Sequence, residues 1–364
     1  MTSLPEKKRP RPILPARRSV AARVLDVAGA AAFHVLHPAL RERFVEAARP
    51  GLLTRVEYRT DDGWTSPLHY LPPRPGGAGE PVVLAHAAGV SADAFRYGVG
   101  RTLAGELSRR GFAVYLLHHR GDRSSRGPTQ TRVDFDAILH RDVPQALARV
   151  TEHSGYPRSH WIGHGVGGQL GAAWATQDDG RWLASVCVLD APVRFSTPSS
   201  AARRKALALR LLPRHWEIPT RSLAQLSAPF TLADEVQDAS HASGPRYRGL
   251  MAHAAEDIAV DLLRQIEAWI ATGSLTSRGD VIDYTEALSA AAVPLLALSS
   301  DGQPGCRAIL DTWGHPDRAH RTVDGYGALD LLAAVDAHNR VFEPVADWLL
   351  DRRRLAWGDQ RQAI

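Results

Sequence analysis

Between Pro81 and Asp190 the chain alternates short apolar runs with segments of helical period, and this alternation constrains the fold more than any other feature. PVVLAH, FAVYLLHH, SHWIGHG and WLASVCVLD are runs of strand length. Between them lie AFRYGVGRTLAGELSRRG, DFDAILHRDVPQALARV and GVGGQLGAAWATQ, which carry helical spacing. Strands and helices in strict alternation build a mostly parallel sheet with helices on both faces, because each parallel crossover needs a long connection. Ahead of this region LTRVEYRT, the turn Asp61-Asp62-Gly63 and WTSPLHYLP read as an antiparallel hairpin. Behind it, residues 193–288 are mostly helical in pattern with no clear strand, as in YRGLMAHAAEDIAVDLLRQIEAWIA. VPLLALSS, CRAILDTWG, AHRTVD and FEPVADWLLDRRR then resume the alternation. The expected architecture is α/β. Residues 53–192 and 289–357 form the core, and 193–288 form a helical lid over the carboxyl edge of the sheet, where such sheets bind their ligands. Residues 1–18 read as a basic, Pro-rich flexible leader and 19–52 as an N-terminal helical extension.

Composition narrows the function classes. A 364-residue chain with 44% hydrophobic and 23% charged residues can bury a large core, which excludes bulk disorder. No run reaches 18 uninterrupted apolar residues and the start lacks a signal-type apolar segment, so a soluble protein without a membrane span is expected. Two cysteines point to a reducing cytoplasm. The net charge of +5 resides in the leader, where Lys7, Lys8, Arg9, Arg11, Arg17 and Arg18 face only Glu6. The remainder is balanced, so no nucleic-acid face is indicated. Neither a metal nor a cofactor is expected. His34 and His37, spaced i,i+3, lack the further ligands a metal needs. The sequence carries no signal of oligomeric state.

The segment Gly163-His164-Gly165-Val166-Gly167-Gly168 admits two readings. Gly163, Gly165 and Gly168 satisfy G-x-G-x-x-G between a strand and a helix, and Asp190 ends the next strand, as a dinucleotide site would require. That turn usually opens its domain, whereas here a hairpin and two strand–helix units precede it. The second reading follows chain order. His86-Ala87-Ala88-Gly89 after one strand, Arg120-Gly121-Asp122-Arg123-Ser124-Ser125 after the next, then GHGVG, a helical insertion, VPLLALSSDGQP, and finally Gly325-Tyr326-Gly327-Ala328-Leu329-Asp330-Leu331-Leu332 resemble a lidded α/β-hydrolase of the lipase/esterase type over residues 53 to 350.

The resemblance implies a Ser-His-Asp triad, and this chain departs from it at each slot. Gly165 stands where the elbow serine is expected, Gln303 at the acid position with Asp301 two residues earlier, and Ala328 at the histidine position. The resemblance also implies backbone oxyanion donors at Ala87 and Val166, with His86 and His164 shaping the loop and the elbow. His118, His119 and Asp122, together with Asp301, are the alternative acid/base candidates, although loop solvation or capping is the expected role of the two histidines. Cys187 is expected in the core, Cys306 to be a packed or merely exposed thiol, and Asp330 to be structural, capping or pairing near the final helix.

The sequence therefore points to a pseudoenzyme-like α/β-hydrolase fold that binds an apolar acyl-, lipid- or polyketide-type molecule in a lidded pocket. Equally, it could catalyse a cyclisation, elimination or isomerisation that needs no covalent intermediate. The alternatives are an ester or thioester hydrolase with relocated residues and a dinucleotide-binding protein. A titratable group converging on the cavity favours an enzyme; a purely apolar cavity favours binding.

Overall fold

The computed structural model describes residues 53–97, 101–128, 131–177, 180–196, 209, 211–218, 220–221, 250–251, 253–301 and 304–357. The leader, the 19–52 extension, His34, His37 and Gln303 lie outside the described residues. Eight strands form one sheet: β1 (Thr54–Arg59), β2 (Thr65–Leu71), β3 (Pro81–Ala85), β4 (Ala113–Leu117), β5 (Ser159–His164), β6 (Leu183–Leu189), β7 (Leu295–Ser300) and β8 (Arg318–Val323). Their order is β1-β2-β4-β3-β5-β6-β7-β8. The hairpin β1–β2 is antiparallel, β2 pairs antiparallel with β4, and every other pairing is parallel.

Strands β3 to β7 are buried along their whole length, as sheets covered on both faces must be. Helices α1 (Leu103–Arg109), α2 (Val143–Ser154), α3 (Val166–Trp174), α4 (Val260–Thr272), α5 (Pro304–Thr312) and α6 (Glu343–Leu350) supply the flanking layers. One core cluster joins Phe135, Trp161, Leu170 and Trp269; the other joins Phe95, Leu107, Phe112 and Phe342. Helix α4 of the 193–288 segment contributes Leu262 and Trp269 to the first cluster, with the Trp269 ring edge-on to Phe135 at 4.9 Å.

The helical run expected over 247–271 is interrupted between Ala254 and Val260. Ala255 forms an isolated bridge, Glu256 and Asp257 are irregular, and Ile258–Ala259 pairs with Glu217–Ile218 where no strand is evident in the sequence. The reason is tertiary. Ala255 bridges Val90, Glu256 N–H donates to the Gly89 carbonyl at 2.9 Å, and Ser91 N–H donates to the Ala254 carbonyl at 2.6 Å. These bonds tie the segment to the loop after β3 and outweigh its helical propensity.

The loop after β4 is anchored by a fully buried arginine. Arg120 donates through Nε and its backbone N–H to Asp142, and holds both oxygens of Asp62 with Nη1 and Nη2 at 2.7 and 3.1 Å. Tyr58 adds a hydroxyl to Asp142 at 3.1 Å. Burial pushes the Asp142 carboxyl up to about 6, against the pull of Arg120. Removing the cation leaves a carboxylate stranded in the core, so Arg120→Leu is expected to cost on the order of 3–5 kcal/mol by urea denaturation. Loss of the exposed Arg149–Glu152 pair through Arg149→Leu should cost under about 1 kcal/mol. Equal effects of the two substitutions would contradict this account.

Candidate active site

Strand β5 runs into α3 through a single residue, Gly165, at φ 51° and ψ −119°. L-residues with a side chain rarely adopt this conformation, and glycine does so without a Cβ penalty. Space is a second constraint: a Cβ at Gly165 would stand 2.9 Å from the Ala87 Cβ, below any ordinary contact. The turn is tight because α3 presses directly on the sheet. A Cβ at Gly167 would lie 2.1 Å from the Ala85 carbonyl oxygen, so the glycine spacing is accounted for by helix–strand packing.

Ala87 and Val166 face this turn from the two sides. Val166 is the first residue of α3, whose N–H has no partner within the helix. The helix dipole adds positive potential there. His86 Nδ1–H donates to the Ala87 carbonyl at 3.0 Å and so shapes the loop. His164 Nε2–H donates to the Ala328 carbonyl at 3.1 Å, which brings the last loop to the elbow. Asp301 is exposed; its N–H donates to the Tyr326 carbonyl at 2.9 Å and its carboxylate accepts from Gly325 N–H. It tethers the last loop and stands four strands from the end of β4, about 19 Å at ordinary strand spacing. It is therefore not a partner for His118 or His119. Asp330 accepts from Gly327 N–H at 3.1 Å, the capping role expected of it. Asp190 is turned inward onto Ser300 Oγ and Ser300 N–H, with the buried Cys306 thiol 3.9 Å away. That arrangement does not leave it free for a ribose. Both cysteines are buried and unpaired, and burial pushes both thiols well above their ordinary range.

The expectation that His118 and His119 are solvated or capping is corrected. Both are buried, because the loops after β3 and β4 close over them together with the 253–259 segment. His118 Nδ1 meets Asp122 Oδ2 at 2.9 Å and its Nε2 meets His69 Nδ1 at 3.0 Å, so both ring nitrogens are engaged. His119 stacks on His86 with ring centroids 4.2 Å apart and donates Nδ1–H to the Arg120 carbonyl at 2.9 Å. Burial works against the Asp122 carboxylate, yet His118 and His86, the latter with Nε2 at 3.8 Å, hold it well below the usual carboxylate range. Burial and His119 push His86 down to about 3, and burial lowers His119 as well. Both imidazoles are neutral at pH 7.

Glu256 joins this cluster from the insertion. Its Oε1 accepts from Arg123 N–H at 3.3 Å, while Oε2 is buried without a hydrogen bond among the described residues and forms an ion pair with Arg123 Nε at 3.6 Å. Burial and nearby Asp122 push its carboxyl up to about 7, against Arg123 and Arg221. His86, Ala87, His119, Asp122 and Glu256 line one narrow cavity with about 20 Å³ of room, closed on its apolar side by Val90, Val133, Ile258 and Leu262. Glu256 and His69 escape a reading of the sequence. Glu256 lies within a run of uninterrupted helical period, and His69 is an ordinary alternating residue of a hairpin strand.

A model of the serine aminopeptidase S33 family matches residues 81–268, more than half of the chain. The chain belongs to this family of α/β-hydrolases. The dinucleotide reading of G-x-G-x-x-G is thereby set aside. Among solved structures the chain is similar to an esterase from Thermogutta terrifontis, with 18% identity and a TM-score of 0.56 over 82% of this chain and 99% of that one. It is also similar to a monoacylglycerol lipase from Paleococcus ferrophilus (15%, 0.54, 83% and 100%). A third is an enol-lactonase from Burkholderia xenovorans LB400 (16%, 0.53, 81% and 100%). At these identities the likeness is one of fold. No protein of curated function matches the chain in sequence.

Two outcomes follow from the geometry. Gly165→Ala should cost on the order of 1–3 kcal/mol in thermal or urea unfolding, from backbone strain and the Ala87 contact together. An unchanged melting temperature would contradict the elbow conformation. Neutral burial of His86 and of His160, itself pushed down to about 3 by burial, sets the acid dependence. Below pH 6.5 the unfolded imidazoles take up protons that the folded ones refuse. Stability is therefore full above about pH 6.5 and falls toward pH 4, by up to about 1.4 kcal/mol per unit for each imidazole. Glu256 acts with the opposite sign between about pH 4.5 and 7, which a Glu256→Gln melt series separates from the histidine slope.

Proposed function

We propose that this S33-family chain takes an apolar acyl-, lipid- or polyketide-type small molecule into a pocket covered by the 193–288 insertion and handles it without a covalent acyl-enzyme. The observation that carries the reading is the elbow. Gly165 offers no hydroxyl, and the Ala87 methyl occupies the volume into which a side chain would project. The Ala328 slot beside it offers no imidazole to activate a nucleophile. The backbone donors of Ala87 and Val166 are independent of side-chain identity and suit a carbonyl oxygen that gains negative charge.

Between binding and catalysis, the cavity lining supports catalysis. A passive apolar pocket does not need two neutral imidazoles and a carboxyl poised near 7 beside the oxyanion loop. The esterase, lipase and lactonase character of the structural neighbours is in keeping with a carbonyl compound as ligand. The His118–Asp122 pair is a poor choice of relocated acid/base, since its imidazole already spends both nitrogens inside the protein.

The test is covalent labelling. The unmodified chain is expected to take no fluorophosphonate label and to show no burst with p-nitrophenyl esters. Gly165→Ser should gain neither. Native mass spectrometry of protein from its own host is expected to show a bound apolar molecule. Stoichiometric labelling of the unmodified chain would overturn the reading, because it requires an activated nucleophile.

A further inference from the structure

We propose that Glu256, His86 and His119 form a proton-accepting site that holds a water molecule beside the oxyanion loop and delivers it to the carbonyl carbon of an apolar ester or thioester. The proposal rests on the preceding reading that no acyl-enzyme forms, and it names the nucleophile that replaces the missing hydroxyl.

The argument is an imbalance of donors and acceptors. His86 and His119 each commit Nδ1–H to a backbone carbonyl, at 3.0 and 2.9 Å, which fixes the tautomer and leaves each Nε2 as a bare acceptor. Both Nε2 atoms are buried and make no hydrogen bond among the described residues, and the same is true of Glu256 Oε2. Buried polar atoms cost free energy unless they are paired. Three such atoms on residues lining one cavity call for a ligand that donates hydrogens. A cavity of about 20 Å³ admits one water, whose two hydrogens serve Glu256 Oε2 and one of the two imidazole Nε2 atoms. An anion or a carbonyl oxygen would meet only lone pairs. Among the described residues no group of His, Cys, Asp or Glu is placed to hold a metal ion.

Glu256 is held for this task by backbone rather than by its own side chain. Its N–H is bonded to Gly89 and its neighbour Ala255 bridges Val90, so the carboxyl keeps its register with Ala87. Arg123 N–H occupies Oε1, and Arg123 Nε stands 3.6 Å from Oε2, close enough to pair with its charge but beyond hydrogen-bond distance. The charged groups facing it are Asp122 and Arg123 from the loop after β4 and Arg221 from the insertion, with the neutral rings of His86 and His119 beneath. Their balance leaves the carboxyl half ionised near neutral pH, which suits a general base.

In the step proposed, Oε2 removes one proton from the water as its oxygen bonds to the carbonyl carbon. The C=O electron pair moves onto the carbonyl oxygen, where the Ala87 and Val166 N–H groups receive it. When the tetrahedral adduct collapses, the bond to the leaving alkoxide or thiolate breaks, and that group takes the proton back from Glu256. The sum is ester plus water giving acid plus alcohol or thiol. His86 and His119 stay neutral throughout, and His119 Nε2 orients the water by accepting its second hydrogen.

The experiment uses the full chain with p-nitrophenyl butyrate in the presence of excess fluorophosphonate. The expected result is a linear, burst-free hydrolysis that the fluorophosphonate does not inhibit and that rises with pH around a midpoint near 7. Glu256→Gln should lower kcat about 100-fold or more and abolish the midpoint, with an unchanged circular dichroism spectrum. A crystal structure of the unmodified chain should show an ordered water within hydrogen-bond distance of both Glu256 Oε2 and His119 Nε2. Hydrolysis that is fluorophosphonate-insensitive yet indifferent to Glu256→Gln overturns this proposal alone. So does a rate no greater than that of the buffer, or a site without that water. Inhibition by fluorophosphonate overturns the acyl-enzyme-free reading itself.

Discussion

The close approach of α3 to the ends of β3 and β5 sets the geometry of everything around the site. No side chain separates the helix from the strands: a Cβ at Gly163 would stand 2.2 Å from the Gly167 carbonyl oxygen, and one at Gly167 still nearer the Ala85 carbonyl oxygen. Because the backbones touch, the connection must reverse within one residue, and Gly165 takes the positive φ that such a reversal demands. The same approach brings the start of α3 against the loop that leaves β3, so that Val166 and Ala87 share one small volume. Under the proposed reading, the backbone donors at Ala87 and Val166 are thus a product of packing that does not depend on the side chain at the elbow.

The edge of the sheet divides into two chemically opposite zones. Around the elbow the available groups are backbone donors and the positive end of a helix, which favour developing negative charge. Beside it, at the ends of β3 and β4, the available groups are acceptors: two imidazole nitrogens and a carboxylate oxygen. Arg120, sealed between Asp62 and Asp142, holds the β4 loop so that His119 faces His86 and not solvent. The insertion completes the acceptor zone with Glu256, whose position is set by the bonds of Ala255 and Glu256 to the loop after β3. Removing that pairing would dismantle one wall of the cavity as well as the register of the carboxyl group.

The sheet was legible in the sequence because its central strands are continuous apolar runs bounded by turn residues, and burial on both faces demands such runs. The elbow was legible for a related reason, since only glycine satisfies a contact as short as that of Gly167 with Ala85. The acid/base cluster was half legible. His86, His118, His119 and Asp122 stand at strand ends, where this architecture concentrates chemistry, but their burial depends on segments distant in the chain. Glu256 left no local trace: its neighbours carry a helical period, and only pairing with residues some 165 positions earlier interrupts the helix there. Long-range backbone pairing of this kind is invisible to periodicity.

Gly165 and Ala87 behave as a single packing unit, and this explains why the elbow cannot regain a side chain by one substitution. A serine at 165 must meet both the backbone strain of positive φ and the Ala87 methyl at 2.9 Å. Removing the methyl relieves only the second, and it frees the loop whose amide is needed as a donor. The last loop, held to the elbow by the His164–Ala328 hydrogen bond, carries alanine at 328 and so offers the hydroxyl no imidazole from that position. Each correction therefore exposes another missing partner, and the coupling between neighbours makes the three positions non-additive. Among the described residues, the acceptor zone touches this unit only through His86, whose Nδ1–H is bonded to the Ala87 carbonyl; His119 and Glu256 come from the end of β4 and from the insertion. On the proposed reading the chemistry resides there, and the elbow holds its two amides in place.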